Sequence, residues 1–140
     1  MSFREKIHWI SFVSIVGTFG WYFWTLPTAA DAGPQGLWAS AGLLLIPVLG
    51  ITAVMTIGTI IFALRNPKDA KAPDDERDRS FQIRATHLAY YPMVVGSWLC
   101  IGLIFGGVSQ PMLLRIILAM VVVAELIRIG AQIYFYRRGY

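Results

Sequence analysis

Glu125, Arg128 and Gln132 interrupt the last long apolar run of the sequence, "MLLRIILAMVVVAELIRIGAQIYFY" (112–136). Intervals of three and four put all three on one face of a helix. A lone charge near mid-depth of a bilayer costs at least ~2.5–3.5 kcal/mol, so this face should turn towards other helices or a water-filled cavity. Three chemistries fit the spacing. The pair could neutralise itself at i,i+3 and fix helix packing. It could anchor a polar side chain of a partner. Glu125 could instead be the titrating group of a proton or ion relay. Against the relay, a carrier must exchange a proton, and the Arg128 guanidinium is a permanent competitor for the same carboxylate.

A second charged stretch, "PDDERDRSFQIRATHLAYYP" (73–92), holds four of the eight acidic residues and lies between two apolar runs. Asp74, Asp75 and Glu76 fall where a helix would start. Carboxylates there cap free N–H groups and complement the helix dipole. Asp75 and Arg79 form an acid-to-base i,i+4 pair of the favourable orientation. Residues 74–88 are therefore predicted to be a short helix that runs directly into the following span. Asp74, Asp75, Glu76, Arg77, Asp78 and Arg79 either present a docking surface to a partner or pair among themselves as a solvated helix start. Exposed pairs of this kind are worth only ~0–1 kcal/mol each. A metal site is not expected: the four carboxylates and His87 match neither the paired-histidine nor the calcium-loop spacing, and three arginines are interleaved.

Other reactive residue types are scattered. His8 and His87 stand at two helix starts on one membrane face, the minimum for a haem held by two imidazoles, yet interfacial histidines meet that pattern without a cofactor. Cys100 is alone in an apolar run, which excludes a disulfide framework. No nucleophile–base pair and no glycine-rich phosphate loop is present. The residues predict no enzyme, no metal, no cofactor and no nucleic-acid partner.

The elements that hold these residues follow from composition. Of 140 residues, 56% are hydrophobic and 14% charged, against about 25% charged in a soluble domain. Four apolar runs, about 9–26, 37–64, 89–107 and 112–136, are each long enough to cross a hydrocarbon core about 30 Å thick. "PTAADAGPQG" breaks the chain after the first, the insert 65–88 follows the second, and "VSQP" turns it after the third. The second run exceeds a straight crossing, which predicts tilt or a kink at Pro47. The first run, aromatic and without a small-residue cleavage site, is expected to be retained as a span. Lys and Arg cluster in the N-terminus (Arg4, Lys6), the insert (Arg65, Lys68, Lys71, Arg77, Arg79, Arg84) and the C-terminus (Arg137, Arg138); the loops 27–36 and 108–111 have none. Excess Lys and Arg marks the cytoplasmic side. The expectation is a single all-α membrane domain, four transmembrane helices as two hairpins, with both termini and the insert cytoplasmic.

Smaller features refine this picture. Trp21 to Trp24, Tyr90, Tyr91, Trp9 and the terminal tyrosines are predicted interface anchors, whereas Trp98, deeper, is read as a packing residue. Gly17 with Gly20, Gly50, Gly58, and Gly102 with Gly106 are the candidates for close helix approach. Arg115 is expected to snorkel to the headgroups, or to meet Asp31 in the opposite loop.

"DERDRSFQIRATHLAYY" followed by an apolar span, with the tail "YFYRRGY", resembles an uncharacterised family of small bacterial four-helix membrane proteins, a domain of unknown function with an acidic–basic DERD segment before its third helix. The resemblance covers about a third of the chain. It implies residence in the bacterial inner membrane. Members encoded beside small helix-turn-helix regulators imply a membrane partner or sequestering role. Together, residues and resemblance point to a non-enzymatic membrane protein acting by association with the bilayer and with another membrane or cytoplasmic protein. It would be an accessory subunit or a regulatory partner. The alternative is a small homo-oligomeric channel or transporter that uses Glu125.

Overall fold

In the computed structural model, which describes residues 3–25, 33–65, 67 and 76–138, the chain is all-helical. Four long helices follow in order: α1 (Phe3–Thr25), α2 (Gly33–Arg65), α3 (Glu76–Phe105) and α4 (Gln110–Arg138). At 1.5 Å per residue they run about 35 to 50 Å. Two of them, the Gly42–Arg65 part of α2 and the whole of α3, are long and apolar enough to cross a membrane. Only 6% and 11% of their most apolar stretches are buried within the protein, so these are not the core helices of a globular domain. α4 carries Arg115, Glu125 and Arg128 along its length, and α1 is rich in Trp and Phe.

The helix expected before the third span is the first three turns of α3 itself, starting at Glu76, with no break before the apolar stretch. Asp74 and Asp75 lie outside the described residues. α2 continues as helix through Pro47, and α3 through Pro92.

The turn between α3 and α4 is built by its glycines. Gly107 adopts φ +71°, a conformation that a side chain disfavours. Its N–H donates to the Ile104 carbonyl (3.2 Å), and Val108 N–H donates to the Leu103 carbonyl (3.2 Å). This double bond pattern closes a helix C-terminus. Ser109 then starts α4, its carbonyl accepting from Leu113 N–H at 2.9 Å, with Pro111 in the first turn, where a missing N–H costs nothing.

Packing produces two antiparallel hairpins, α1 with α2 and α3 with α4, joined mainly where α1 meets α4. α2 also touches α4, so α1, α2 and α4 group together with α3 beside α4. Among the described residues, α3 has no comparable contact with α1 or α2. The core lies at the central joint: Ile15 of α1 against Val122, Ile129 and Ile133 of α4, flanked by Trp9, Phe12, Phe19, Ile51, Leu118 and Leu126. Within the first hairpin, Gly50 lets Thr18 approach and Gly58 lets Ile10 approach, a Cβ at either position lying 3.4–3.5 Å from the neighbour. Gly17, Gly20 and Gly102 face open space, and a Cβ on Gly106 would meet only α3's own backbone, so "GLIFG" is not a contact inside this chain. The tight approach in the second hairpin is at Gly96, where an added Cβ would overlap the Met120 side chain.

Candidate functional site

Glu125 and Arg128 meet as the spacing predicts. Arg128 Nε donates to Glu125 Oε2 at 2.9 Å, and Arg128 Nη2 donates to Glu125 Oε1. This two-pronged fork fixes both planes and is the strong form of an ion pair. Both side chains are a little over one-third exposed. Glu125 forms part of the wall of an open groove of about 500 Å³ between α3 and α4, with Thr86, Tyr90, Met93, Ser97 and Val121. Gln132, one turn beyond Arg128, is 1% exposed, and its Oε1 has no hydrogen-bond partner. The sequence put the three on one face; the structure divides them, with the pair at a groove and the amide in the packed interior.

Arg115 is half-buried and interacts electrostatically with Tyr22 of α1, while Asp31 lies outside the described residues. Tyr22 is itself fully buried, unlike its neighbours Trp21 and Trp24, because it falls on the side of α1 that meets other helices. The antiparallel register of Thr18 beside Gly50 brings it level with Pro47, which is also buried.

The remaining described charges collect at one end, formed by the start of α1, the end of α2, the start of α3 and the end of α4. Arg137 Nε lies 3.7 Å from Glu5 Oε1, with its guanidinium 5.6 Å from the Trp9 ring centre. Lys6 Nζ sits 5.8 Å from the Phe62 ring, joining α1 to α2. His8 stacks against Tyr136 at 5.5 Å. Phe81 of α3 packs on Phe135 at 5.9 Å and edge-on to Tyr136 at 5.5 Å. Tyr136 is thus a packing residue that links α1, α3 and α4.

Glu76, Arg77, Asp78 and Arg79 form the first turn of α3, with Glu76, Arg77 and Arg79 exposed and Asp78 half-buried. Arg77 and Asp78 already have interaction partners. The Asp75–Arg79 pair falls outside the described residues. His8 is held against Tyr136 of α4, and His87 is exposed on α3. No group of three potential metal ligands occurs among the described residues.

Two findings were not anticipated. Trp98 is 70% exposed on the outer side of α3, so packing within the chain does not explain it. Gly96 is the close-approach glycine, and its signal was present: Phe81, Ala85, Ala89, Gly96 and Cys100 share one stripe at helical spacing, four of them buried. Comparisons with protein-family models, curated proteins and solved structures found no match.

Proposed function

We propose that this chain is a non-enzymatic, multi-pass protein of the bacterial inner membrane that acts by association. It serves either as accessory subunit of a larger membrane complex or as regulatory membrane partner of a cytoplasmic protein. In this reading all four helices cross as two hairpins. The charged end faces the cytoplasm with both termini, because Lys and Arg concentrate there. The chain then belongs with the DERD-bearing membrane proteins it resembles.

The observation that carries the reading is the placement of α3 beside the group formed by α1, α2 and α4. Among the described residues α3 packs mainly on α4, and the outward faces of α2 and α3 expose Leu45, Leu49, Ile57, Val95, Trp98 and Phe105. Apolar surface of this extent is covered by lipid or by another protein. In lipid, helices associate through packing and polar contacts, and the Glu125–Arg128 fork at an open groove supplies a polar contact at membrane depth.

The test has two parts. Extraction in a mild detergent with a C-terminal tag, followed by mass spectrometry, should recover a stoichiometric larger complex. Reversing Asp75, Glu76 and Asp78 to Lys should remove a cytoplasmic partner while the chain stays in the membrane; unchanged recovery of that partner refutes docking at 74–79. The groove beside Glu125 favours one rival, a homo-oligomeric channel or transporter. Flux in liposomes that depends on pH and disappears in Glu125→Gln would displace the association reading.

A further inference from the structure

The outer side of α3 changes character along its length. Arg84, His87 and Tyr91 occupy i, i+3 and i+7, and all three are exposed. Continuing in the same stripe are Val95 at 68% and Trp98 at 70% exposure. At about 100° per residue this stripe points roughly 140° away from the Phe81–Ala85–Ala89–Cys100 stripe that packs on α4. Arg84 has no ion pair among the described residues. A shallow depression of about 400 Å³ lies alongside, lined by Thr86, His87, Tyr90 and Tyr91.

Depth follows from helix length. α3 ends at Phe105, and a crossing takes about 20 residues, so the hydrocarbon boundary at the charged end falls near residue 86. Arg84 and His87 therefore stand at headgroup level, Tyr90 and Tyr91 just below it, and Val95 and Trp98 among acyl chains. Resting on the membrane reading above, we infer that Arg84, His87 and Tyr91 form a binding site for one anionic phospholipid of the leaflet at the charged end. Its phosphodiester accepts from the Arg84 guanidinium and a His87 ring N–H, its glycerol lies in the depression beside Tyr90 and Tyr91, and its chains run along Val95 and Trp98. Charge complementarity selects this occupant: a guanidinium with no ion pair among the described residues stands directly above an uncovered apolar face, and a zwitterionic lipid would bring its own cation to the same place.

The full chain is reconstituted in phosphatidylcholine vesicles containing spin-labelled phosphatidylglycerol or spin-labelled phosphatidylcholine. Electron paramagnetic resonance then gives the fraction of each label held at the protein. The wild type should hold the anionic label preferentially. Arg84→Gln should reduce that preference about fivefold, the size expected for one juxtamembrane cation. Arg138→Gln, which removes an equal charge stacked 5.0 Å over Tyr134 at the end of α4, should change it less than twofold. Equal losses in the two variants, or no loss in Arg84→Gln, overturn the site in favour of diffuse attraction. Flotation of the vesicles separates the two levels: a chain that fails to float overturns the membrane reading and the site together, and one that floats without lipid preference overturns the site alone.

Discussion

Replacing one member of the Glu125–Arg128 fork should cost far more than replacing both. Glu125 lies 15 residues from Gln110 and 13 from Arg138, the ends of α4, so about 20 Å of helix extends on either side. On the four-span reading Glu125 shares a groove wall with Tyr90, so it lies inside a hydrocarbon layer about 30 Å thick but towards its charged end. Arg128 is about 4.5 Å nearer that end. Glu125→Met or Arg128→Met thus leaves a lone charge that costs up to ~2.5–3.5 kcal/mol, the insertion cost at mid-depth. The double replacement by Met removes both charges and should lie within ~1 kcal/mol of wild type, since apolar substitution of a whole buried pair is often neutral or stabilising. The coupling between the sites would then approach the sum of the two single losses, up to ~5–7 kcal/mol. Arg128→Met should be the milder single change, because an orphaned carboxyl can take up a proton and a guanidinium cannot release one. Unfolding in mixed micelles as the fraction of denaturing detergent rises measures all four stabilities. Additive effects, or single losses below ~0.5 kcal/mol as for a pair in water, would refute the membrane-depth placement of the fork.

Three further outcomes are expected. Gly96→Val should lower stability by ~1–3 kcal/mol through overpacking against Met120, with partial recovery on Met120→Ala; Gly102→Val, facing open space, should leave the thermal midpoint unchanged. Phe81→Ala removes the buried ring that ties α3 to Phe135 and Tyr136. It should cost ~3–5 kcal/mol and raise amide hydrogen exchange in the first turns of α3 more than in α1. Cys100 is buried between α3 and α4; a membrane-permeant maleimide should label it slowly in the wild type and several-fold faster in Gly96→Val, and equal rates would show that the Gly96 contact does not hold the hairpin closed.

Much of the fold is written in local pattern. Long apolar runs specify helices, and "GGVSQP" the break between α3 and α4, because a membrane-length apolar segment has few ways to satisfy its backbone other than a helix; the break expected over 27–36 is narrower, since α2 already begins at Gly33. The Glu125–Arg128 fork is legible for the same reason: i and i+3 are neighbours on any helix, whatever surrounds it. Helix packing order is not local. That α3 leans mainly on α4 depends on which face of each helix finds a complementary surface, and the glycines of α1, α2 and α3 all look alike in sequence. Only the assembled register distinguishes Gly96, pressed against Met120, from Gly102, which meets nothing. The same holds for the aromatics. Tyr22 and Trp98 read alike as rings in apolar runs, yet one is sealed at the α1 interface and the other stands outside α3. The sequence by itself determined the elements, their charge asymmetry and the Glu125–Arg128 pair, all short-range consequences of residue type and spacing. Tertiary structure alone decided which faces are spent on packing and which are left for lipid or a partner, since that choice depends on contacts between residues far apart in the chain.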